Sequence, residues 1–221
     1  MKKIVILMAF ISIAFISMAQ QGSFYIGGLA GYSSSSSKDP DNSDNKSVTS
    51  TWAAGPEFGT FLADDIQLGF SLGLSGQSNK QGDEKNYSQT SFVPILYARK
   101  FFSITDNFST FAGLYLAYIS MSHTTYDYST GSEVKTKYKS NGFGARIGIG
   151  VSYALSPKFT ILGQYGLLGF QSSTSKDGDG NKISKDSYFD IGVNTVGSGV
   201  LSQGNGSGAV FNVGIYYTIG E

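Results

Sequence analysis

Three charged side chains stand in parts of the sequence that are otherwise nearly free of charge. Glu57, Arg99 and Arg146 each lie where apolar residues alternate with small or polar ones. Such alternation places successive side chains on opposite faces of a β-strand. It puts Glu57 and Arg146 on the face opposite the apolar residues, and we expect Arg99 there too. A charge on an enclosed face is costly unless it is paired. We therefore predict a buried charge network, with Arg146 as the leading partner of Glu57, provided that the stagger of the strands lets them meet.

A second possibility for chemistry is His123, the only histidine in the chain. Ser122 and Asp127 are close to it in sequence, and a serine, histidine and carboxylate together could perform acyl transfer. Hydroxyl side chains are so abundant in this chain that a neighbouring serine carries little weight. We expect His123 to be an ordinary histidine at the rim of the fold, and we predict no catalytic residue.

The segment that contains Asp177, Asp179 and Asn181 matches the first three ligand positions of a calcium loop. The match then fails, because Lys182 stands where glycine is expected and Tyr188 stands where the bidentate glutamate is required. We expect a solvated turn, with weak Ca²⁺ binding as the alternative. No complete metal-binding, phosphate-binding or dinucleotide-binding motif occurs, so we predict no cofactor.

The composition narrows the class of protein. Among 221 residues there are 29 glycines, 4 prolines and no cysteine, while aromatic and charged residues each make up 14%. Soluble domains carry about 25% charged residues, so this balance disfavours a soluble enzyme. The formal net charge is zero, and no basic field points to nucleic acid.

The first 19 residues have the features of a secretory signal. Lys2 and Lys3 precede an apolar run, Ile4–Ile16, and Ser17-Met18-Ala19 ends it with small residues. The apolar run is shorter than the ~20 residues of a membrane-spanning helix. We expect cleavage before Gln20, which leaves one β-barrel domain over residues 20–221.

The stretch Ser140–Tyr153 shows the pattern that organises the remainder of the chain. Its odd positions are mostly apolar and its even positions are small or polar, apart from Arg146. Fourteen residues at period two fit a membrane-spanning barrel strand, which needs roughly 9–11 tilted residues. Seven other segments share this pattern. The eight strand candidates are Ser23–Ser33, Val48–Leu62, Ile66–Gly76, Tyr87–Phe102, Phe108–Ser122, a sixth strand containing Ser140–Tyr153, Phe159–Gln171 and Gly208–Ile219.

The connections between these strands alternate between long polar loops and tight turns, as in membrane barrels with extracellular loops and periplasmic turns. Charged residues concentrate in the loops, and aromatic residues gather at the strand ends as two interfacial girdles. An even number of strands places both ends of the domain at the periplasmic side. The predicted fold is therefore an all-β, eight-stranded, antiparallel, up-and-down transmembrane β-barrel.

The chain resembles the small outer-membrane barrels of the OmpX type and the OmpA transmembrane domain, and more closely the outer-membrane β-barrel domain proteins of Bacteroidota. The resemblance rests on Pro56–Gly73, Val93–Phe102, the G-F-G-A-R-I-G-I-G-V-S-Y core and the terminal F-N-V-G-I-Y-Y. It implies outer-membrane lipid, lipopolysaccharide and the barrel-insertion machinery as partners, and it raises a gate or proton path as an alternative role for the inward charges. The chain departs from the pattern by ending on Gly220-Glu221 instead of an aromatic residue.

We predict a non-enzymatic integral outer-membrane protein. Eight strands enclose an interior that side chains just fill, and long extracellular loops would serve envelope integrity or surface interaction. Three alternatives remain: a lipid- or peptide-modifying enzyme that uses His123, a narrow channel or carrier of a small apolar solute, and a soluble secreted β-sandwich.

Overall fold

The computed structural model describes residues 22–38, 46–128, 133–191 and 212–219. The predicted signal segment and residues 208–211 of the last predicted strand lie outside the described residues. Within them no helix is long and apolar enough to cross a membrane. The regular elements there are nine strands: β1 Phe24–Lys38, β2 Lys46–Ala63, β3 Ile66–Gln81, β4 Glu84–Ser103, β5 Phe108–Asp127, β6 Val134–Ala154, β7 Phe159–Lys176, β8 Lys182–Ile191 and β9 Asn212–Ile219.

The strands form one antiparallel sheet that closes on itself. Each strand from β1 to β7 pairs with its neighbour in sequence, and β9 pairs with both β7 and β1. The closing seam between β1 and β9 consists of five residue pairs, from Phe24 with Ile219 to Gly28 with Ile215, and among the described residues the ladder on that side of β1 ends at Gly28. The predicted all-β antiparallel barrel is confirmed, and the alternative of a two-sheet sandwich is wrong.

The ring has eight positions, although the chain has nine strands. β8 pairs with β7 from Leu168 to Lys176, and β9 pairs with the same edge of β7 from Phe159 to Gln164. The two short strands therefore share one position, where the sequence predicted a single eighth strand. β8 was missed because its residues, K-I-S-K-D-S-Y-F-D-I, are largely polar and lack clean alternation.

We call the two ends of the barrel the turn end, with the connections around residues 64–65, 104–107 and 155–158, and the loop end opposite. At the loop end the strands run further than predicted. β3 and β4 continue to a two-residue turn, Gly82-Asp83, and Gly82 has the positive φ (62°) that such turns require. Residues 77–86, which the sequence predicted to be a polar loop, thus form a hairpin. Alternation did not reveal it, because both faces of the hairpin carry polar residues.

Side chains alternate between an enclosed interior and an exposed exterior. In β6, Phe143 is 68% exposed and Ile147 and Ile149 are also exposed, while Gly148 and Ser152 are buried. The facing predicted for Ser140–Tyr153 is therefore confirmed. The glycines leave room for rings of the neighbouring strand. At Gly150, for example, an added Cβ would overlap the ring of Phe111 and the carbonyl oxygen of Gly163.

Exposed aromatic side chains mark both edges of the apolar exterior. Phe143 and Tyr153 lie at opposite edges and are ten positions apart in β6. At about 3.3 Å per residue and a tilt of about 40°, ten positions span roughly 25 Å, which is the height of the apolar band of membrane barrels. Four aromatic residues at strand ends, which the sequence predicted to belong to the interfacial girdles, instead face the interior: Phe61, Tyr87, Phe101 and Tyr138.

Candidate functional site

An ion pair lies inside the barrel. The Nη2 atom of Arg99 is 3.1 Å from the Oε2 atom of Glu57, and the two residues are 1% and 5% exposed. The inward facing predicted for both is confirmed. The predicted partner of Glu57 was Arg146, and the structure brings Arg99 to it instead. Arg99 comes from β4, two positions round the ring from β2, whereas Arg146 comes from β6 and packs its side chain over Gly166.

The guanidinium of Arg99 is held by further acceptors. Its Nη1 donates to Gln67 Oε1 (3.0 Å), its Nε donates to the hydroxyl of Tyr115 (3.0 Å), and its Nη2 also donates to Gln164 Oε1 (3.3 Å). With the bond to Glu57, four of the five N–H groups of the guanidinium have an acceptor. The cation also lies 4.0 Å from the ring centre of Tyr97. Arg99 is therefore fixed in position and orientation.

A tyrosine relay ends at the carboxylate of Glu57. The hydroxyl of Tyr97 donates to Glu57 Oε2 at 2.8 Å, and the hydroxyls of Tyr97 and Tyr25 are 2.6 Å apart. Tyr97 has one hydroxyl proton, and Glu57 accepts it, so Tyr25 must be the donor to Tyr97. All three groups are then satisfied with Glu57 ionised. We call Glu57, Arg99 and the groups bonded to them the lumen network: Tyr25, Gln67, Tyr97, Tyr115 and Gln164.

Aromatic rings surround the lumen network. Five enclosed residues form a cluster from β1, β4, β5, β7 and β9, and the rings of Phe101 and Phe111 lie 5.3 Å apart. At Gly69 an added Cβ would overlap Tyr25 and Tyr97, so this glycine makes room for the relay. At the level of the lumen network the interior is thus filled with rings and a neutralised charge pair. The cluster consists of Tyr25, Tyr97, Phe111, Leu162 and Tyr216.

Below the lumen network, at the turn end, there is a cavity of about 200 Å³. Its walls include Phe61, Phe101 and Leu162. Two buried polar groups line it without a hydrogen-bond partner among the described residues: the amide nitrogen of Gln67 and the hydroxyl of Ser152. Buried polar groups normally have a partner in the protein or in water. Polar side chains, among them Asp64, Asp106 and Asn107, line the rest of the cavity, so it combines an apolar wall with a polar one.

His123 lies at the loop end between two aromatic rings. Its imidazole stacks on Tyr87 (5.9 Å between ring centres) and on Tyr138 (4.8 Å). Burial among these rings lowers the pKa of His123 below its ordinary value. Ser122 precedes His123 in β5, so its side chain points to the opposite face of the strand. Asp127 is four residues after His123. The structure does not bring together the three residues whose proximity in sequence suggested acyl transfer.

The three residues of the calcium-like segment share one hairpin turn between β7 and β8. The Oδ1 atom of Asp177 accepts the backbone N–H groups of Asp179 (3.0 Å) and Asn181 (2.8 Å), and its Oδ2 accepts the Asn181 amide (3.2 Å). Gly180 completes the turn at a positive φ of 89°. In the described part of the chain no three His, Cys, Asp or Glu side chains are grouped to hold a metal ion. The carboxylate of Asp177 stabilises the turn, and weak Ca²⁺ binding stays a prediction.

The polar partners of the charges were not predicted from the sequence. The interior face that carries Arg99 also carries Gln67, which is paired with Arg99 across β3 and β4. It also carries Tyr97, two residues before Arg99, and Tyr115, which is paired with Tyr97. Strand periodicity could have placed all three on the enclosed face. No sequence signal indicates which of them bonds to which.

Comparison with known proteins gives the family. A sequence model described as "Outer membrane protein beta-barrel domain" matches residues 4–218. No curated protein matches the chain. Solved structures that resemble it at low identity include the translocator domain of the autotransporter NalP from Neisseria meningitidis (8% identity, TM-score 0.44, 85% of this chain and 66% of that one). A major outer membrane protein from Thermus thermophilus (16%, 0.46, 90% and 100%) and the outer membrane protease OmpT from Escherichia coli (11%, 0.39, 89% and 76%) also resemble it. Because the family model covers nearly the whole chain, this protein belongs to the outer membrane protein β-barrel domain family.

Proposed function

We propose that this protein is a non-enzymatic, non-conducting barrel that supports the integrity of the outer membrane and presents a polar surface outside the cell. Its family places it in the outer membrane, among the lipids of that membrane and among the proteins that the barrel-insertion machinery assembles. The finer points, which are the closed lumen, the orientation and the absence of catalysis, are proposals.

The lumen network is the observation that supports a closed barrel. Arg99 and Glu57 stand at the centre of the interior, and an enclosed cluster of four aromatic rings and Leu162, drawn from five strands, surrounds them. To open a path, this buried ion pair would have to separate, and an unpaired buried charge costs several kcal/mol. The path would also require the ring cluster to move. A barrel of eight positions leaves no room beside these side chains.

We propose that the loop end faces the outside of the cell and the turn end faces the periplasm, with both termini there. The three connections at the turn end are short, as periplasmic turns are in membrane barrels. At the loop end, β3 to β6 continue beyond the exposed aromatic residues as a polar extension. This extension offers serine, threonine and lysine side chains to an external partner.

The closed lumen is tested by reconstituting the purified chain in planar bilayers and in liposomes that contain small sugars. We expect no conductance steps and no liposome swelling. The double variant Glu57→Ala with Arg99→Ala removes the centre of the network. It serves as the control in which the lumen is open. Steady conductance by the unaltered chain would overturn the proposal, whatever the variant does.

The turn-end cavity favours a second candidate, the binding of a small apolar solute. Its volume of about 200 Å³ is close to that of an engineered cavity of about 150 Å³ that binds benzene, and Phe61, Phe101 and Leu162 supply apolar contacts beside the polar part of its lining. The test is thermal unfolding with and without benzene or indole. A rise in the midpoint that Ser152→Leu abolishes would support this candidate, and no rise would remove it.

A further inference from the structure

Three lysines stand side by side at the loop end on adjacent strands. The strand register pairs Lys139 of β6 with Lys176 of β7, and it pairs Lys176 with Lys182 of β8 across a β-bulge that follows the Ser175–Ser184 pair. Residues directly opposite in an antiparallel pair, as Lys139 and Lys176 are, have Cβ atoms about 4.5–5.5 Å apart on the same face, and like charges there are destabilising. All three side chains are exposed. We call them the lysine row.

Carboxylates do not neutralise the lysine row in the part of the chain that the structure describes. The ion pairs found there involve Arg99, Lys100 and Lys135, and none of the three lysines of the row. The Asp177 carboxylate is bound within its own turn. The nearby Asp186 lies on the opposite, inner face. Of the segments outside the described residues, 129–132 and 192–211 contain no Asp or Glu, whereas 39–45, between β1 and β2, contains Asp39, Asp41 and Asp44.

The lysine row lies just beyond the lipid-facing band. Lys139 is on the same outer face of β6 as the exposed Phe143, four residues nearer the loop end. Four residues correspond to about 13 Å along the strand and roughly 10 Å in height at a tilt of about 40°. A lysine side chain bends toward the membrane surface. Its ammonium group therefore reaches the layer of lipid headgroups.

Two more lysines lie beside the row on the outer face. Lys137 is two residues before Lys139 in β6 and therefore shares its outer face. Lys185 is paired with Thr174, which is two residues before Lys176 in β7 and also faces outward. Lys185 is four residues from the exposed Phe189. The cationic surface thus continues along the edge of the lipid-facing band over three strands.

We propose that the lysine row binds a phosphate group on a lipid of the outer leaflet. Ammonium groups are compact charges that bind phosphate without a fixed direction, and a phosphate between them would remove their mutual repulsion. The exposed aromatic and aliphatic side chains below would contact the acyl chains of the same lipid. The choice of leaflet rests on the proposed orientation, in which the loop end faces outward.

The test measures the binding of lipid A, a phosphate-bearing glycolipid, to the full chain in uncharged detergent micelles by native mass spectrometry. The row variant carries Lys139→Gln, Lys176→Gln and Lys182→Gln. The matched control carries Lys38→Gln, Lys46→Gln and Lys80→Gln, which removes three exposed lysines from β1, β2 and β3, where Lys38 and Lys46 are also paired. In the control, Lys46 lies six residues beyond the exposed Trp52, further from the lipid-facing band than the row.

Each lysine near an anionic surface contributes about fivefold to binding at low salt. We therefore expect the row variant to bind lipid A roughly 10- to 100-fold more weakly than the unaltered chain, and the control to bind it within about twofold. Equal binding by the two triple variants would overturn the proposal. Displacement of lipid A by millimolar inorganic phosphate would also overturn it, because the row would then be a site for the free anion.

The orientation is tested separately, by labelling a tag inserted at Gly82-Asp83 in intact cells. Labelling that requires permeabilised cells would overturn the outward orientation and the assignment to the outer leaflet. The micelle experiment does not depend on orientation, so it decides by itself whether the lysine row binds a lipid phosphate.

Discussion

Arg99 and Glu57 are 42 residues apart in the chain, yet the Arg99 Nη2 atom lies 3.1 Å from the Glu57 Oε2 atom in the middle of the barrel. Both side chains are removed from solvent, so each depends on the other for neutralisation. Loss of one would leave the other as an unpaired charge in a site of low polarity, where it is strongly disfavoured.

Single substitutions at this pair should destabilise the barrel more than the double substitution does. We expect Arg99→Met or Glu57→Gln alone to lower the free energy of unfolding by about 3–5 kcal/mol. Arg99→Met combined with Glu57→Leu should cost less than the sum, because no charge is left unpaired. Urea unfolding of the reconstituted barrel measures these differences.

A surface ion pair at the turn end, between Lys100 of β4 and Asp65 of the β2–β3 turn, provides the control. Lys100 and Asp65 are 2.7 Å apart, with both side chains about half exposed. Exposed pairs contribute little to stability, so Lys100→Met with Asp65→Asn should leave unfolding nearly unchanged. Equal effects of the two pairs would contradict the central role of the Arg99–Glu57 pair.

The tyrosine relay should contribute to stability through its hydroxyl groups. Tyr97→Phe removes one donor from Glu57 and the acceptor of the Tyr25 hydroxyl. A buried polar group without a partner costs about 1–3 kcal/mol, and we expect a loss of that size in urea unfolding. Tyr153→Phe, on the exposed outer face, should have almost no effect. A Tyr97→Phe variant as stable as the unaltered chain would show that water replaces the hydroxyl.

The glycines of β6 should differ in their tolerance of alanine. At Gly150 an added Cβ would overlap the Phe111 ring and a backbone carbonyl, whereas at Gly144 the nearest atoms would lie 3.5 and 3.8 Å away. Overpacking costs about 1–3 kcal/mol, so Gly150→Ala should destabilise the barrel and Gly144→Ala should not. The gel mobility of unboiled samples over a temperature series compares the two. Similar transitions would contradict the packing of Phe111 against Gly150.

His123 should titrate below the ordinary histidine pKa of about 6.5, because burial between Tyr87 and Tyr138 disfavours the imidazolium. The unfolded chain then binds more protons than the folded one between the two pKa values. Stability contributed at this site is complete above about pH 6.5 and declines as the pH falls toward the folded pKa.

NMR titration can follow this group directly, because the chain contains a single histidine. We expect a midpoint below 6.5, and Tyr138→Ala should move it upward by exposing the imidazole. A midpoint of 6.5 or above in the unaltered chain would contradict the stacked, partly buried arrangement.

Residues in and near the membrane band were predictable, because lipid on one side and a filled interior on the other impose strict alternation. The facing of Phe143 and of Glu57 follows from that alternation alone. β8 could not be predicted from alternation. Beyond the membrane band water contacts both faces of the sheet, so polar residues are tolerated on either face and the period-two pattern is lost.

The sequence by itself determined that this chain forms an antiparallel membrane barrel and that Glu57, Arg99 and Arg146 point inward, because period-two patterning specifies the face of each residue. The tertiary structure decided that Arg99 meets Glu57, that Tyr97 and Tyr25 extend the network, and that Phe61 and Phe101 line the turn-end cavity. These outcomes depend on the stagger between strands and on the reach of side chains across the interior. Alternation along one strand contains no information about either.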